Sequence, residues 1–231
     1  MEWSDAYSRE HPLRSVSKWF VRHFQDHPAI VVDTVHASQV SSDAVHDAGG
    51  IILSGSPRDA WVKDPVNDRL GELICECRDR GVPFLGVCFG HQLLAHVMGG
   101  DVRRDPAGLE LGTVEIELTK QGRQSPLFSG FPDHFEVLGS HQDSVLALPP
   151  GAKLLATGLH SRVQAFQCGA HLMGVQFHPE MDPDILRFIW EPRIAAWREK
   201  VGFDLQQRLA TLRPLPAAAN VLRNFANRCL S

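Results

Sequence analysis

Cys88 stands between two glycines in Gly86-Val87-Cys88-Phe89-Gly90-His91-Gln92, and His178 stands two residues before Glu180 in Val175-Gln176-Phe177-His178-Pro179-Glu180. A thiol, an imidazole and a carboxylate are the working parts of a nucleophilic cysteine hydrolase, the base holding the thiol proton and the acid fixing the imidazole tautomer. The Gly-x-Cys-x-Gly spacing is the cysteine counterpart of the Gly-x-Ser-x-Gly elbow, where small neighbours permit a strained strand-to-helix turn. A free thiol has a pKa of about 8.5, and a helix beginning directly after it favours the thiolate through the positive end of its dipole. At the end of a strand, residues two apart share one face, so Glu180 would orient His178 toward the thiol. Attack on an amide also needs donors for the developing oxyanion. The backbone N–H of Phe89 is one natural source, and Gly55 in the loop Ser54-Gly55-Ser56-Pro57 is the second.

The elements that must position these groups are legible in the apolar periodicity. Leu13 to Phe24 has helical spacing, and the run Ala29-Ile30-Val31-Val32 reads as a strand. Gly50 to Leu53 reads as a buried strand that empties into the Gly55 loop. Asp64 as cap, Pro65 in the first turn and Gly81 as stop bound a helix, followed by a strand over Val82–Val87 and a helix over Phe89–Met98. This alternation is that of a parallel sheet covered by helices. After Gly100 the pattern changes to period two at Val114, Ile116 and Leu118, with further short strands at Phe135–Leu138, Lys153–Thr157, Val163–Gln167 and His171–Phe177. Asp184–Lys200 and Phe203–Leu212 read as helices, and Ala218, Leu222, Phe225 and Cys229 lie on one face of a closing helix.

The bulk properties bound the class. A chain of 231 residues, 43% hydrophobic, fits one α/β domain over residues 1–231 with an extra helical segment around 183–213. A net charge of -4 and a pI near 6.3 give no reason to expect nucleic acid or a membrane surface as partner. Met1 to Asp5 has no basic-then-apolar leader pattern, and no apolar run approaches a membrane span, so the expectation is a cytoplasmic protein. Five scattered cysteines argue for reduced thiols. Cys75 and Cys77 would be about 200° apart on a helix, which suits no shared metal, so no metal site is expected.

Taken together, Gly86 to Gln92, Ser140-His141-Gln142-Asp143 and Gly174 to Glu180 resemble the three signatures of the class I glutamine amidotransferases, nearest to the glutaminase of GMP synthase and its free-standing relatives. The resemblance spans roughly residues 50–180. It implies a three-layer, flavodoxin-like sandwich with a mainly parallel central sheet and a small antiparallel portion. By it Cys88, His178 and Glu180 form a triad that attacks the side-chain amide of glutamine, releases ammonia and hydrolyses a γ-glutamyl thioester, without a cofactor. It further implies that Gln92 helps hold the glutamine, and that Ser140 and Asp143 meet its α-carboxylate and α-amino ends with His141 nearby. No SGGxDS or GxxxxGK[ST] loop occurs, so an ammonia acceptor would belong to a synthetase partner acting in trans. Three departures stand out: Gly55-Ser56 replaces two consecutive glycines, the usual first strand is missing before Leu13, and about 50 residues follow Glu180. Gly55-Ser56-Pro57-Arg58-Asp59-Ala60-Trp61 also resembles γ-glutamyl peptidases, which keep the nucleophile and change the leaving group. An inactive regulatory relative is a third reading, disfavoured by the presence of all three triad residues.

Overall fold

The computed structural model describes residue 13, residues 15–40 and residues 43–230. The expected missing first strand lies outside the described residues. Helix α1 (Val16–Val21) and a one-turn helix α2 (Asp43–His46) precede the first strand, β1 (Ile51–Leu53). The run Ala29–Val32 forms no strand, contrary to expectation: Ile30 and Val32 pack on the core while Val31 is 90% exposed. Its alternation is satisfied by extended chain lying on the core edge, with no ladder partner among the described residues.

Helix α3 (Pro65–Arg80) has the ends its sequence specifies. The Asp64 carboxylate accepts from the Val66 and Asn67 amides, and Gly81 adopts the left-handed φ of 72° that closes the helix. Strand β2 (Phe84–Val87) then leads into α4 (Phe89–Val97), followed by β3 (Asp101–Arg104), β4 (Glu110–Leu118) and the short helix α5 (Lys120–Arg123). Strands β5 (His134–His141), β6 (Asp143–Ala147), β7 (Lys153–Gly158), β8 (Ala165–Cys168) and β9 (Leu172–Val175) complete the sheets. The tail carries α6 (Pro183–Trp190), α7 (Ile194–Trp197), α8 (Leu205–Ala210) and α9 (Asn220–Cys229).

The α/β fold is the one expected. Among the described residues the main sheet has the order β1-β2-β9-β8-β7-β4-β5, parallel across β1, β2 and β9 and antiparallel beyond, with β3 and β6 as a separate ribbon. Period-two alternation sends Phe84 to the layer of α3 and α4, and Leu85 and Val87 to the layer of α1 and α9. A third apolar cluster joins Ile185, Leu186, Trp190, Leu205 and Leu209 of the tail to Leu109, Leu111 and Leu138, so the extra helices cover the β4–β5 end. No helix among the described residues is long and apolar enough to cross a membrane.

One core residue makes folding sensitive to acid. His91 of α4 is fully buried with its ring 4.8 Å from that of Phe166, and burial drives its pKa down to about 3. The unfolded imidazole titrates near 6.5, so between these values the unfolded chain binds the extra proton. The contribution of His91 is therefore complete above the unfolded value and is lost as pH falls toward 3, at about 1.4 kcal/mol per pH unit at most. Urea midpoints measured from pH 7 to pH 4 should fall less steeply in His91→Asn than in the wild type; equal slopes would remove His91 from the account.

Candidate active site

Three neighbouring parallel strands end together, and each hands over to one of the predicted groups. Register pairs Leu53 with Gly86 and Val87 with Val175, so Gly55, Cys88 and His178 all lie just beyond the carboxyl ends of β1, β2 and β9. That edge is where open parallel sheets place their sites. Cys88 has φ 51° and ψ -99°, the one positive φ outside glycine among the described residues, and such backbone costs of order 1–3 kcal/mol. The strain holds because the flanking chain is packed tightly around it. A Cβ on Gly86 would come 2.3 Å from the Gly90 carbonyl oxygen, and one on Gly90 would come 2.3 Å from that of Leu53. The Gly-x-Cys-x-Gly spacing is thus what lets α4 start against β1 and β2. Cys88 is the N-cap of α4, at the positive end of its dipole, and the Phe89 amide belongs to the first turn, whose donors lack intrahelical partners.

His178 and Glu180 meet, though not as members of a strand. The β9 ladder ends at Val175, because the His178 amide leaves it to donate to Leu138 of β5 at 2.9 Å and Pro179 has no amide to offer. A turn then folds Glu180 back, so that His178 Nδ1 and Glu180 Oε1 are 2.7 Å apart with both side chains buried. Arg22 of α1 fixes that turn by donating to the Glu180 carbonyl and to Asp182, each at 2.7 Å. Burial pushes the His178 pKa down, but the Glu180 carboxylate and the Cys88 sulfur, which is within hydrogen-bonding reach, outweigh it and hold the imidazole well above its usual value. The buried thiols of Cys77 and Cys168 and the half-buried one of Cys229 lack such company. Burial raises Cys77 to about 12 and Cys168 and Cys229 to about 11, which leaves them protonated.

Gly55 faces this pair: a Cβ there would lie 2.9 Å from His178 Cε1 and 3.6 Å from Cys88 Cβ. Ser140 and His141 end β5 and Asp143 begins β6, a corner where the chain leaves the main sheet for the β3–β6 ribbon. The Ser140 carbonyl is 3.9 Å from Cys88 Sγ, and its hydroxyl accepts from Trp190 Nε1 at 2.8 Å. Both Asp143 oxygens are engaged, one by Trp61 Nε1 at 2.9 Å and one by Arg104 in an ion pair of 2.9 Å. Burial raises the Asp143 pKa; Trp61 and Arg104 oppose this, while neighbouring Asp59 adds to it. Gln92 is buried one turn after Cys88, its amide nitrogen donating to the Asp143 carbonyl at 2.6 Å and to Gln176 at 3.1 Å. His141 lies behind this wall, bonded to Glu110.

Sequence reasoning gathers Cys88, His178, Glu180, Gly55, Phe89 and the Ser140–Asp143 segment, and they come together. It misses Arg22, Arg104, Glu110 and Trp190, which reach the site from distant segments and carry no local spacing signal. The cleft of about 860 Å³ under the 200–203 segment lies elsewhere, on the outer side of β4, and contains neither Cys88 nor His178.

The family model for class I glutamine amidotransferases matches residues 14–186. The chain is 40% identical over 139 residues to the GMP synthase [glutamine-hydrolyzing] of Aeropyrum pernix, covering 60% of this chain and 25% of that one. It is 36% identical over 139 residues to gamma-glutamyl peptidase 5 of Arabidopsis thaliana, covering 59% and 55%. Among solved structures, a glutamine amidotransferase from Thermotoga maritima superposes with a TM-score of 0.66 at 28% identity over 78% of each chain. The chain therefore spans about a quarter of the length of such GMP synthases and just over half that of the peptidase. With three quarters of its length matched by the family model and the same fold in a solved member, this chain belongs to the class I glutamine amidotransferase family.

Proposed function

We propose that the protein hydrolyses the side-chain amide of glutamine with Cys88 as nucleophile, His178 as base and acid, and Glu180 as its orienter. Cys88 Sγ, ionised as its proton passes to His178, adds to the amide carbon. The oxyanion is met by the amides of Phe89 and Gly55, His178 returns the proton to the leaving nitrogen, and ammonia departs. Water, deprotonated by His178, then attacks the γ-glutamyl thioester, and glutamate leaves as the thiol is restored. Ser140 and Asp143, with Gln92 and His141 behind them, form the wall that receives the α-carboxylate and α-amino end. A carboxylate at Asp143 suits the ammonium, which would share it with Arg104. Ammonia passes to an acceptor bound by a synthetase in trans, in keeping with the GMP synthase relatives.

The observation that carries this reading is the buried 2.7 Å His178–Glu180 pair beside a strained cysteine at a helix N-terminus. Its test is ammonia release from glutamine by the wild type and by variants of Cys88. The γ-glutamyl peptidase relative, matched over a larger share of its length, favours a second reading in which the leaving group is the amine of a γ-glutamyl peptide. Turnover of glutamine against γ-glutamyl dipeptides separates the two, and a marked preference for peptides selects the second.

The closeness of Gly55 to the His178 ring predicts the effect of Gly55→Ala, which keeps the backbone amide. Gly55 is not left-handed, so the backbone tolerates alanine, but the added carbon crowds the His178 ring. The expected result is a loss of about 10²-fold or more in kcat with an unfolding midpoint close to that of the wild type. Unchanged kcat would remove Gly55 from the site.

A further inference from the structure

Behind the site wall runs a buried polar chain, two of whose members, Glu110 and Gln164, have no part in the proposed hydrolysis. Gln164 Nε2 donates to Glu110 Oε2 at 2.8 Å, and the same oxygen lies 2.7 Å from His141 Nε2. The other ring nitrogen, His141 Nδ1, lies 3.0 Å from the Asp143 carbonyl, which also accepts from Gln92 at 2.6 Å. Glu110, His141, Gln164 and Gln92 are each 6% exposed or less. Register places Glu110 opposite His141 and Leu111 opposite Ser140, so β4 holds the corner from outside.

Burying a carboxylate is expensive, and an apolar replacement of similar volume is often neutral or stabilising, so stability alone does not account for a buried Glu110. Burial would raise its pKa, yet the His141 ring and Gln164 together keep it below the usual carboxylate range, so the charge is held inside the fold. What that charge grips is the corner Ser140 to Asp143, one end of which is 3.9 Å from the nucleophile. We propose that Glu110 is a positioning residue that, acting through His141, fixes the Ser140–Asp143 corner in the geometry that binds the γ-glutamyl substrate. This rests on the function proposed above. The arrangement leaves the Cys88–His178–Glu180 group itself alone, since none of its side chains bonds to Glu110.

The test is steady-state kinetics on glutamine and on a γ-glutamyl dipeptide for the wild type, Glu110→Ala and Glu110→Gln, with Cys88 alkylation by iodoacetamide followed across pH. The expected result for Glu110→Ala is a fall in kcat/KM of roughly 10²-fold, carried mainly by KM, with the alkylation profile of Cys88 unchanged. Glu110→Gln, which keeps an acceptor for His141, should recover part of the loss and guards against a failure of the alanine variant to fold. A folded Glu110→Ala or Glu110→Gln with wild-type KM overturns the proposal while leaving the function standing. An altered alkylation profile also overturns it, because Glu110 would then act on the nucleophile. A wild type that turns over neither substrate defeats the proposed function, and this proposal falls with it.

Discussion

Cys88→Ala is expected to lose glutamine hydrolysis by roughly 10⁴–10⁶-fold, because removing the nucleophile removes the only covalent route and leaves the oxyanion donors and substrate wall with nothing to assist. The variant should remain folded, since Cys88→Ala removes a single sulfur atom from the core. The backbone at this position makes the comparison more informative than a simple knockout. Its φ of 51° strains any residue with a Cβ, whereas glycine adopts it freely. Cys88→Gly should therefore be more stable than Cys88→Ala, by on the order of 1 kcal/mol, while being equally inactive. The two variants together test whether the elbow stores strain for the sake of the nucleophile. Equal unfolding midpoints would contradict that, and near-normal activity in either would contradict the covalent mechanism.

The second large effect belongs to Glu180→Gln. The carboxylate is buried, 2.7 Å from His178 Nδ1, and is a principal reason the imidazole stays protonated despite burial. Glutamine keeps the shape but removes the charge and can present the wrong hydrogen-bonding group to the ring. In the comparable serine protease case the loss is about 10⁴-fold, so a fall of ~10³–10⁴-fold in kcat is expected. The pH profile should move as well. With burial no longer offset by the carboxylate, the His178 pKa falls, the thiolate–imidazolium form is confined to lower pH, and the alkaline limb shifts downward. Stability follows the same sign: a folded pKa held above the unfolded value near 6.5 contributes fully below 6.5 and fades as pH rises through the folded value. The stability advantage of the wild type over Glu180→Gln should accordingly shrink toward alkaline pH. An unshifted profile with near-normal kcat would remove Glu180 from its assigned role.

What could be read from the sequence, and what could not, divides by the range of the interactions. Asp64, Pro65 and Gly81 bound α3 through contacts within a few residues, and the glycine frame of Cys88 reports a local steric need; both are legible in sequence. That Gly55, Cys88 and His178 each follow a strand is also legible, whereas the parallel pairing of β9 with β2 that makes them neighbours is a tertiary contact. The Ala29–Val32 run misleads because a strand needs a partner as well as a pattern, and nothing in its sequence says that none lies among the described residues. His178 and Glu180 do meet, but through a turn pinned by Leu138 and Arg22 and not through strand alternation, which only a tertiary contact could reveal. Trp190 and Arg104 belong to the same class. Trp190 reaches Ser140 from the tail helices, and Arg104 reaches Asp143 from the ribbon, without any spacing that ties the partners together.

The assignment of Cys88 as the residue that accepts the γ-glutamyl group is tested most directly with a glutamine-shaped electrophile, such as the corresponding chloroketone, followed by peptide mapping. The account predicts one equivalent incorporated on Cys88, slowed by added glutamine, with activity lost in proportion to labelling. Label on another cysteine, or full activity retained with Cys88 modified, would contradict it.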